Sequence, residues 1–228
     1  MMGLLRFLTF CLIAAVATPA CANLIVNGSF ETPVVPAGGT AIYGAGSTAI
    51  TGWTVAGVGS DSVALVSTSF AQSGVTFNAQ NGQQWIDLAG NASNSQSSGV
   101  TQNIASVLGG QYTISFYVGS ADDNVNNFFF PSTIDLSING GTRTHFTNPN
   151  APSNHLDWMQ FVVPFVATGS STNLTFYNGG ASNNFLSAFD NVVVEGVPEP
   201  SSFMLLLSAL GCGAVGAHVR RRKARGGR

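Results

Sequence analysis

Between residues 24 and 194 the apolar side chains recur with period two and almost nowhere with the helical period, which limits the chain to strands that turn one face to a core. Tyr112, Ile114, Phe116 and Val118 point one way, with Thr113, Ser115 and Tyr117 between them. Ile134, Leu136 and Ile138 repeat the scheme against Thr133, Asp135 and Ser137, and Met159, Phe161, Val163 and Phe165 form another such row. Further strands are predicted at 24–30, 50–55, 62–66, 84–88, 100–104, 173–177 and 188–194, separated by clusters of Gly, Asn, Ser and Pro suited to turns. About ten short strands with almost no Glu or Lys to favour helices predict an all-β chain, an antiparallel β-sandwich. Pro164 cannot donate to a ladder, so its strand is expected at an edge or bulged there.

The two ends do not share this pattern. Residues 1–22 carry one cation, Arg6, then an apolar stretch over 7–16 and Thr18-Pro19-Ala20-Cys21-Ala22, the layout of a secretory signal peptide. Ala20 and Ala22 supply the small-x-small cleavage pattern, which makes Asn23 the first mature residue. Cleavage before Cys21 with acylation of its thiol is the alternative, but Thr18-Pro19 stands where a lipoprotein signal wants an aliphatic residue. At the other end, over 197–228, Pro198-Glu199-Pro200 precedes an apolar run over 203–219 and then Arg220, Arg221, Arg222 and Lys223. The run is long enough to cross a bilayer as a helix, and the basic cluster places its end on the cytoplasmic side. An ordinary single-pass anchor explains the run and the charges but leaves Pro198-Glu199-Pro200 unexplained. Two prolines around a carboxylate stay extended, as a processing enzyme requires. The order of these parts resembles the PEP-CTERM sorting signal, which implies recognition and cleavage by an exosortase, a membrane-embedded sorting enzyme.

What lies between, residues 23–196, is of a size suited to one domain with a real core. It has no Lys, and Arg143 is its only permanent cation, against Glu31, Asp61, Asp87, Asp122, Asp123, Asp135, Asp157, Asp190 and Glu195. One positive charge against nine negative leaves a net charge of minus eight, which excludes nucleic acid as a partner. Cys11, Cys21 and Cys212 all fall in the terminal segments, so the exported domain must hold together without disulfides, through its core or a bound metal.

Asn23-Leu24-Ile25-Val26-Asn27-Gly28-Ser29-Phe30-Glu31 opens the domain and Gly52-Trp53 follows. Gly109-Gly110-Gln111-Tyr112-Thr113-Ile114-Ser115-Phe116 lies in the middle, and Phe189-Asp190-Asn191-Val192 closes it. The series resembles the galactose-binding-like jelly rolls found in carbohydrate-binding modules and bacterial surface proteins, which implies a jelly-roll sandwich. The resemblance also implies a structural calcium at Glu31 and Asp190, completed by backbone carbonyls, since calcium takes six to eight oxygen ligands. The alternative is that Asp190 caps a turn or binds backbone amides while Glu31 is solvated. Asp122-Asp123-Asn124-Val125-Asn126-Asn127 is rich in oxygen donors but lacks the glycine and terminal Glu of an EF-hand loop, and a solvated loop is expected there.

Catalysis finds little material. The mature region holds no Gly-x-Ser-x-Gly elbow, no His-Glu-x-x-His and no Cys–His pair. His155 and Asp157, two residues apart, are the nearest approach to an acid–base or metal pair, and surface positions are expected for both. Binding has more: Trp53, Trp85, Trp158 and the run Phe128, Phe129, Phe130 offer aromatic faces among many Asn, Gln, Ser and Thr. The tryptophans sit in or beside predicted strands and are expected in the core. Alternation cannot bury three consecutive phenylalanines, so at least one of Phe128, Phe129 and Phe130 is expected to be exposed or to cover a sheet edge, and ligand contact is the functional reading of an exposed one. The sequence therefore points to a non-catalytic exported protein that binds extracellular polysaccharide weakly, or to a structural matrix or adhesion protein without a specific glycan. A carbohydrate-active hydrolase is the remaining alternative: a catalytic pair could be drawn from the nine carboxylates, but the sequence gives no separation between them.

Overall fold

The structure is a computed structural model and describes residues 22–90, 94–122, 131–150, 152–180 and 186–197. Residues 22–197 fall in one compact unit. The strands are β1 (Thr40–Gly44), β2 (Thr54–Ala56), β3 (Ser62–Ser67), β4 (Ala71–Gln72), β5 (Val75–Thr76), β6 (Gln84–Asp87), β7 (Gly99–Ala105), β8 (Gln111–Ser120), β9 (Ser132–Ile138), β10 (Thr144–Asn148), β11 (Asp157–Val166), β12 (Ser171–Asn178) and β13 (Ala188–Gly196). They form a six-stranded sheet in the order β1-β3-β6-β13-β8-β11, a five-stranded sheet in the order β10-β9-β12-β7-β2, and the small β4-β5 pair. All pairings within these sheets are antiparallel, and the two large sheets make a jelly-roll sandwich. Among the described residues no helix is long and apolar enough to cross a membrane, and the 203–219 run lies outside them.

The alternating rows meet between the large sheets. Ile114, Phe116 and Val118 of β8 and Phe189 and Val194 of β13 face Ile134 and Leu136 of β9 and Leu174 and Phe176 of β12. Phe116, Phe176 and Phe189 pack with ring centroids 4.6–5.6 Å apart, and Trp53 and Phe30 extend the cluster. Each such ring removed from water contributes about 1.5–3 kcal/mol. Ser62–Ser67 is buried on both faces because a second, smaller core covers the outer side of the six-stranded sheet. There Val66, Trp85 and Ala188 meet Val75, Phe77, Leu156 and Leu186, contributed by the β4-β5 excursion and two neighbouring segments. Pro164 lies on β11, the edge strand its missing N–H requires.

Two predicted strands are corrected. Residues 24–30 are not a strand, because Asn27 (φ 55°) and Phe30 (φ 56°) turn into the left-handed region. The segment instead lies beside the stretch of β13 that β6 leaves free, with Leu24 N–H donating to Val194 O at 2.8 Å and Val192 N–H to Gly28 O at 2.9 Å. A Cβ on Gly28 would stand 2.0 Å from Val192 O, so only glycine permits this approach. Side-chain amides complete the ladder. Gln102 accepts from Val26 N–H at 2.8 Å and donates to Val26 O at 3.0 Å. Gln84 donates to Phe30 O (2.6 Å) and Pro33 O (2.9 Å) and accepts from Val35 N–H. In the predicted strand at 50–55, residues 50–53 form a turn closed by Trp53 N–H to Ile50 O, with Gly52 at φ +82°, and the strand begins only at Thr54. The edge strands β1 and β10 were not predicted: Thr144–Asn148 carries a single inward aromatic, Phe146, and Thr40–Gly44 alternates only between exposed and half-buried.

Candidate functional site

Alternation that buries one side of β7, β12, β9 and β10 presents the other side as a polar sheet face. Thr101 and Asn103 stand opposite Thr175 and Asn173, Thr175 opposite Ser137, and Asp135 between Tyr177 and His145. Thr101, Thr175, Asn173 and Asn103 form a hydrogen-bonded cluster at its centre. Thr101 Oγ1 is 2.9 Å from Thr175 Oγ1, and Asn173 Nδ2 donates to Thr101 Oγ1 (2.9 Å) and Asn103 Oδ1 (3.0 Å). Thr175 Oγ1 donates to Asn173 Oδ1 at 2.9 Å. Farther across, Thr133 Oγ1 and Thr147 Oγ1 are 3.0 Å apart.

The face ends at a charged corner. Asp135 is buried, and its Oδ1 lies 2.5 Å from Nδ1 of His145, whose side chain is 70% exposed. Arg143, the one permanent cation of the mature region, lays its guanidinium over the Tyr177 ring at 3.6 Å and donates to Gln96 O at 2.6 Å. Guanidinium over an aromatic face is attractive, and here it also fixes the Arg143 fork at the rim of the sheet. At the surface the face presents Asn103, Thr101, Asn173, Tyr177, Arg143, His145 and Thr147, with Thr133, Asp135, Ser137 and Thr175 buried beneath them. Amides, hydroxyls, an imidazole and a guanidinium around one aromatic ring are a set matched to a polyhydroxylated ligand. None of these residues stood out in the sequence as a site, although Asn173, Thr175 and Tyr177 are visible as the polar side of a predicted strand. The register that brings Asp135 to His145 and Tyr177 is set by strand pairings distant in sequence.

Phe128, Phe129 and Phe130 lie outside the described residues, as do Asp123, Asn124, Val125, Asn126 and Asn127, Pro198, Glu199 and Pro200, Arg220, Arg221 and Arg222, and Ala20; Ala22 is described but not buried. Trp53 and Trp85 are buried, with their indole N–H groups donating to Asn27 O (3.0 Å) and Phe77 O (3.1 Å). Trp158 packs edge-on against Trp85 and donates to Asn78 O at 2.9 Å, so Trp85 and Trp158 pin the 77–78 segment to the six-stranded sheet while Trp53 joins the 50–53 turn to the N-terminal segment. His155 and Asp157 engage different partners, Asn154 Oδ1 and Asn150 Nδ2.

Glu31 and Asp190 are brought to the same loop. Asp190 Oδ2 accepts from Gln80 N–H (2.9 Å) and Asn81 N–H (3.0 Å), and its Oδ1 from Asn191 N–H (2.7 Å). Glu31 Oε1 accepts from Gln83 N–H (2.8 Å) and Gln84 N–H (3.0 Å). Burial pushes the Asp190 carboxyl up to about 8 against the pull of those amides, with nearby Glu31 adding to the rise. N–H groups aimed at these oxygens have the wrong polarity for a cation, and no group of three or more His, Cys, Asp or Glu is gathered among the described residues. As arranged, the pair clamps the 80–84 loop, and calcium there stays a proposal that would require the amides to turn away. Asp87, also buried, is pushed up to about 7 while accepting from Ala89 and Ser187 N–H.

Fold and terminal signal together define an exported all-β sandwich protein that is anchored in a membrane before processing. The chain belongs to the family described as protein of unknown function (DUF642), whose model matches residues 23–195, and the PEP-CTERM protein-sorting motif matches residues 196–223. No curated protein matches the chain. Among solved structures it is similar to a Stig cyclase, FisC, from Fischerella sp. TAU, with TM-score 0.57 at 16% identity over 79% of this chain and 100% of that one. That likeness shows the fold. A CBM4 structure gives TM-score 0.38 at 23% identity over 76% of this chain and 99% of that one. A family 35 carbohydrate-binding module from Clostridium thermocellum gives 0.37 at 16% identity over 68% and 98%.

Proposed function

We propose that the mature domain is a non-catalytic module of the cell surface or extracellular matrix that binds exopolysaccharide weakly through the outer face of the five-stranded sheet. The observation that carries this reading is the tract from Asn103 and Asn173 through Thr101 and Thr175 to Tyr177, Arg143 and His145. Sugar hydroxyls pair with such amides and hydroxyls, and the ring edge of Tyr177 beside the fixed guanidinium marks one end of a subsite. The Phe128, Phe129 and Phe130 segment is proposed as a second contact. The signal peptide directs export and is removed after Ala22, and exosortase cuts near Pro198, Glu199 and Pro200, releasing the domain from its membrane anchor to the surface or matrix.

Weak binding follows from the geometry. Many hydroxyls of the tract already satisfy one another, so a ligand exchanges hydrogen bonds and gains little net. A dissociation constant of about 0.1–1 mM for one site fits so small a surplus, and many copies on one surface adhere by avidity. The same self-satisfied tract favours the second reading, a structural matrix or adhesion protein whose face supplies hydration and no specific glycan contact. Affinity electrophoresis in gels containing the host's exopolysaccharide separates the two. The glycan reading expects retardation of the native domain that is lost in Tyr177→Ala and Asn103→Ala variants of unchanged melting temperature. Equal mobility of native and variant domains with and without polysaccharide leaves the matrix reading.

A further inference from the structure

Four exposed large apolar side chains gather at one end of the sandwich. Nine are exposed among the described residues, and Val107, Leu108, Val166 and Val197 lie on the strand and loops around the end of β13. Scattered singles would need no explanation, but a cluster does. Gln111 O accepts from Val197 N–H at 2.8 Å, and Gln111 pairs in turn with Val166, so three neighbouring strands end in one row. The β7–β8 loop closes over it, with Gly109 N–H donating to Ala167 O and Tyr112 OH accepting from Val107 N–H. Behind the row, Tyr112 stacks on Phe165 at 5.2 Å and the two line a shallow cavity of about 290 Å³ with Pro164, Val166 and Val197.

This is also where the chain leaves the domain. Val197 is the last described residue, and Pro198, Glu199, Pro200, Ser201 and Ser202 separate it from the apolar run that begins at Phe203. Fully extended, that linker reaches about 20 Å. A domain tethered so closely presents this end to the lipid at high effective concentration, so a contact of a few side chains is enough to hold it. With one cation and nine acids the domain gains nothing from anionic headgroups, and the contact must be apolar. We infer that the Val107, Leu108, Val166 and Val197 end docks on the bilayer surface while the tail is in place, its side chains entering the headgroup–acyl boundary. Removal of the tail abolishes the tether and releases the contact.

The test uses the tail-retaining chain reconstituted into neutral phosphatidylcholine vesicles and recovered by flotation. Tryptophan is placed at the docking end as Leu108→Trp and at the opposite end as Val58→Trp, each in a chain of unchanged melting temperature; Leu108 is 74% and Val58 71% exposed. Lipids brominated in the acyl chain should quench the added emission of Leu108→Trp and spare that of Val58→Trp. Adding Val166→Ser to Leu108→Trp should shift the docked fraction about tenfold in equilibrium constant, or about 1.4 kcal/mol. Equal quenching at both ends, or none at either, overturns the inference. So does a blue-shifted Leu108→Trp emission insensitive to bromine, which would make a second copy of the chain the occupant.

Discussion

Gln84 offers the sharpest test of how this fold closes. Its buried carboxamide holds three backbone groups of the 30–35 segment, donating to Phe30 O and Pro33 O and accepting from Val35 N–H. Gln84→Ala strands all three in a site that admits little water. Each orphaned group costs about 1–3 kcal/mol, and partial rehydration brings the expected total to about 3–5 kcal/mol. That is a large part of the 5–15 kcal/mol typical of a domain, and at about 2–4 °C per kcal/mol it lowers the melting temperature by roughly 10 °C. Gln84→Glu keeps the acceptor for Val35 but turns the donor into an oxygen facing two carbonyls. Ionisation is therefore disfavoured in the folded state, which raises the folded pKa of the new carboxyl above its unfolded value of about 4.3. Stability relative to wild type is then retained below that pH and lost as pH rises through the folded pKa. Urea unfolding at pH 4 and pH 7, followed by the emission of buried Trp53 and Trp85, measures both effects. A Gln84→Ala cost under 1 kcal/mol, or a Gln84→Glu penalty identical at the two pH values, would refute the clasp.

The wild-type domain should itself lose stability as pH rises, because Asp87 and Asp190 have folded values of about 7 and 8 against 3.8 unfolded. Their contribution is complete near pH 4 and gone above pH 8, so the melting temperature should fall between pH 5 and 8.5 and fall less in Asp87→Asn; a rise over that range would show that the backbone amides outweigh burial. Calcium at Glu31 and Asp190 is tested by melting with added calcium and with chelator. Amide-satisfied carboxylates give one midpoint in both, whereas a site held at a hundredfold excess over Kd adds about 2.7 kcal/mol that Asp190→Asn removes.

The sandwich was legible wherever a strand carries three or more inward apolar residues, as Tyr112, Ile114, Phe116 and Val118 do. It was not legible at β10, where Phe146 alone faces in, nor at residues 24–30, where alternation suggested a strand that two left-handed residues interrupt. Backbone pairing supplied by Gln84 and Gln102 leaves no periodic trace, because a glutamine reads as polar surface until its burial is known. The polar face was half visible: Asn173, Thr175 and Tyr177 declare their side of β12, but the neighbours that make it a site come from distant positions, Thr101 being 74 residues from Thr175. Arg143, conspicuous as a lone cation, gives no hint in sequence that it lies over Tyr177.

The place of β13 in the six-stranded sheet bears on how the protein carries mechanical load. While the tail holds, a pull on the domain away from the membrane is resisted at Val197, the end of a strand flanked by β8 and, in turn, by β6 and the N-terminal segment. Hydrogen bonds of an antiparallel ladder lie across the strand axis, so tension along β13 strains many rungs together in shear, the geometry that yields at high force. Asn23, whose side chain accepts from Val194 N–H at 2.9 Å, ties the N-terminal segment to the same strand.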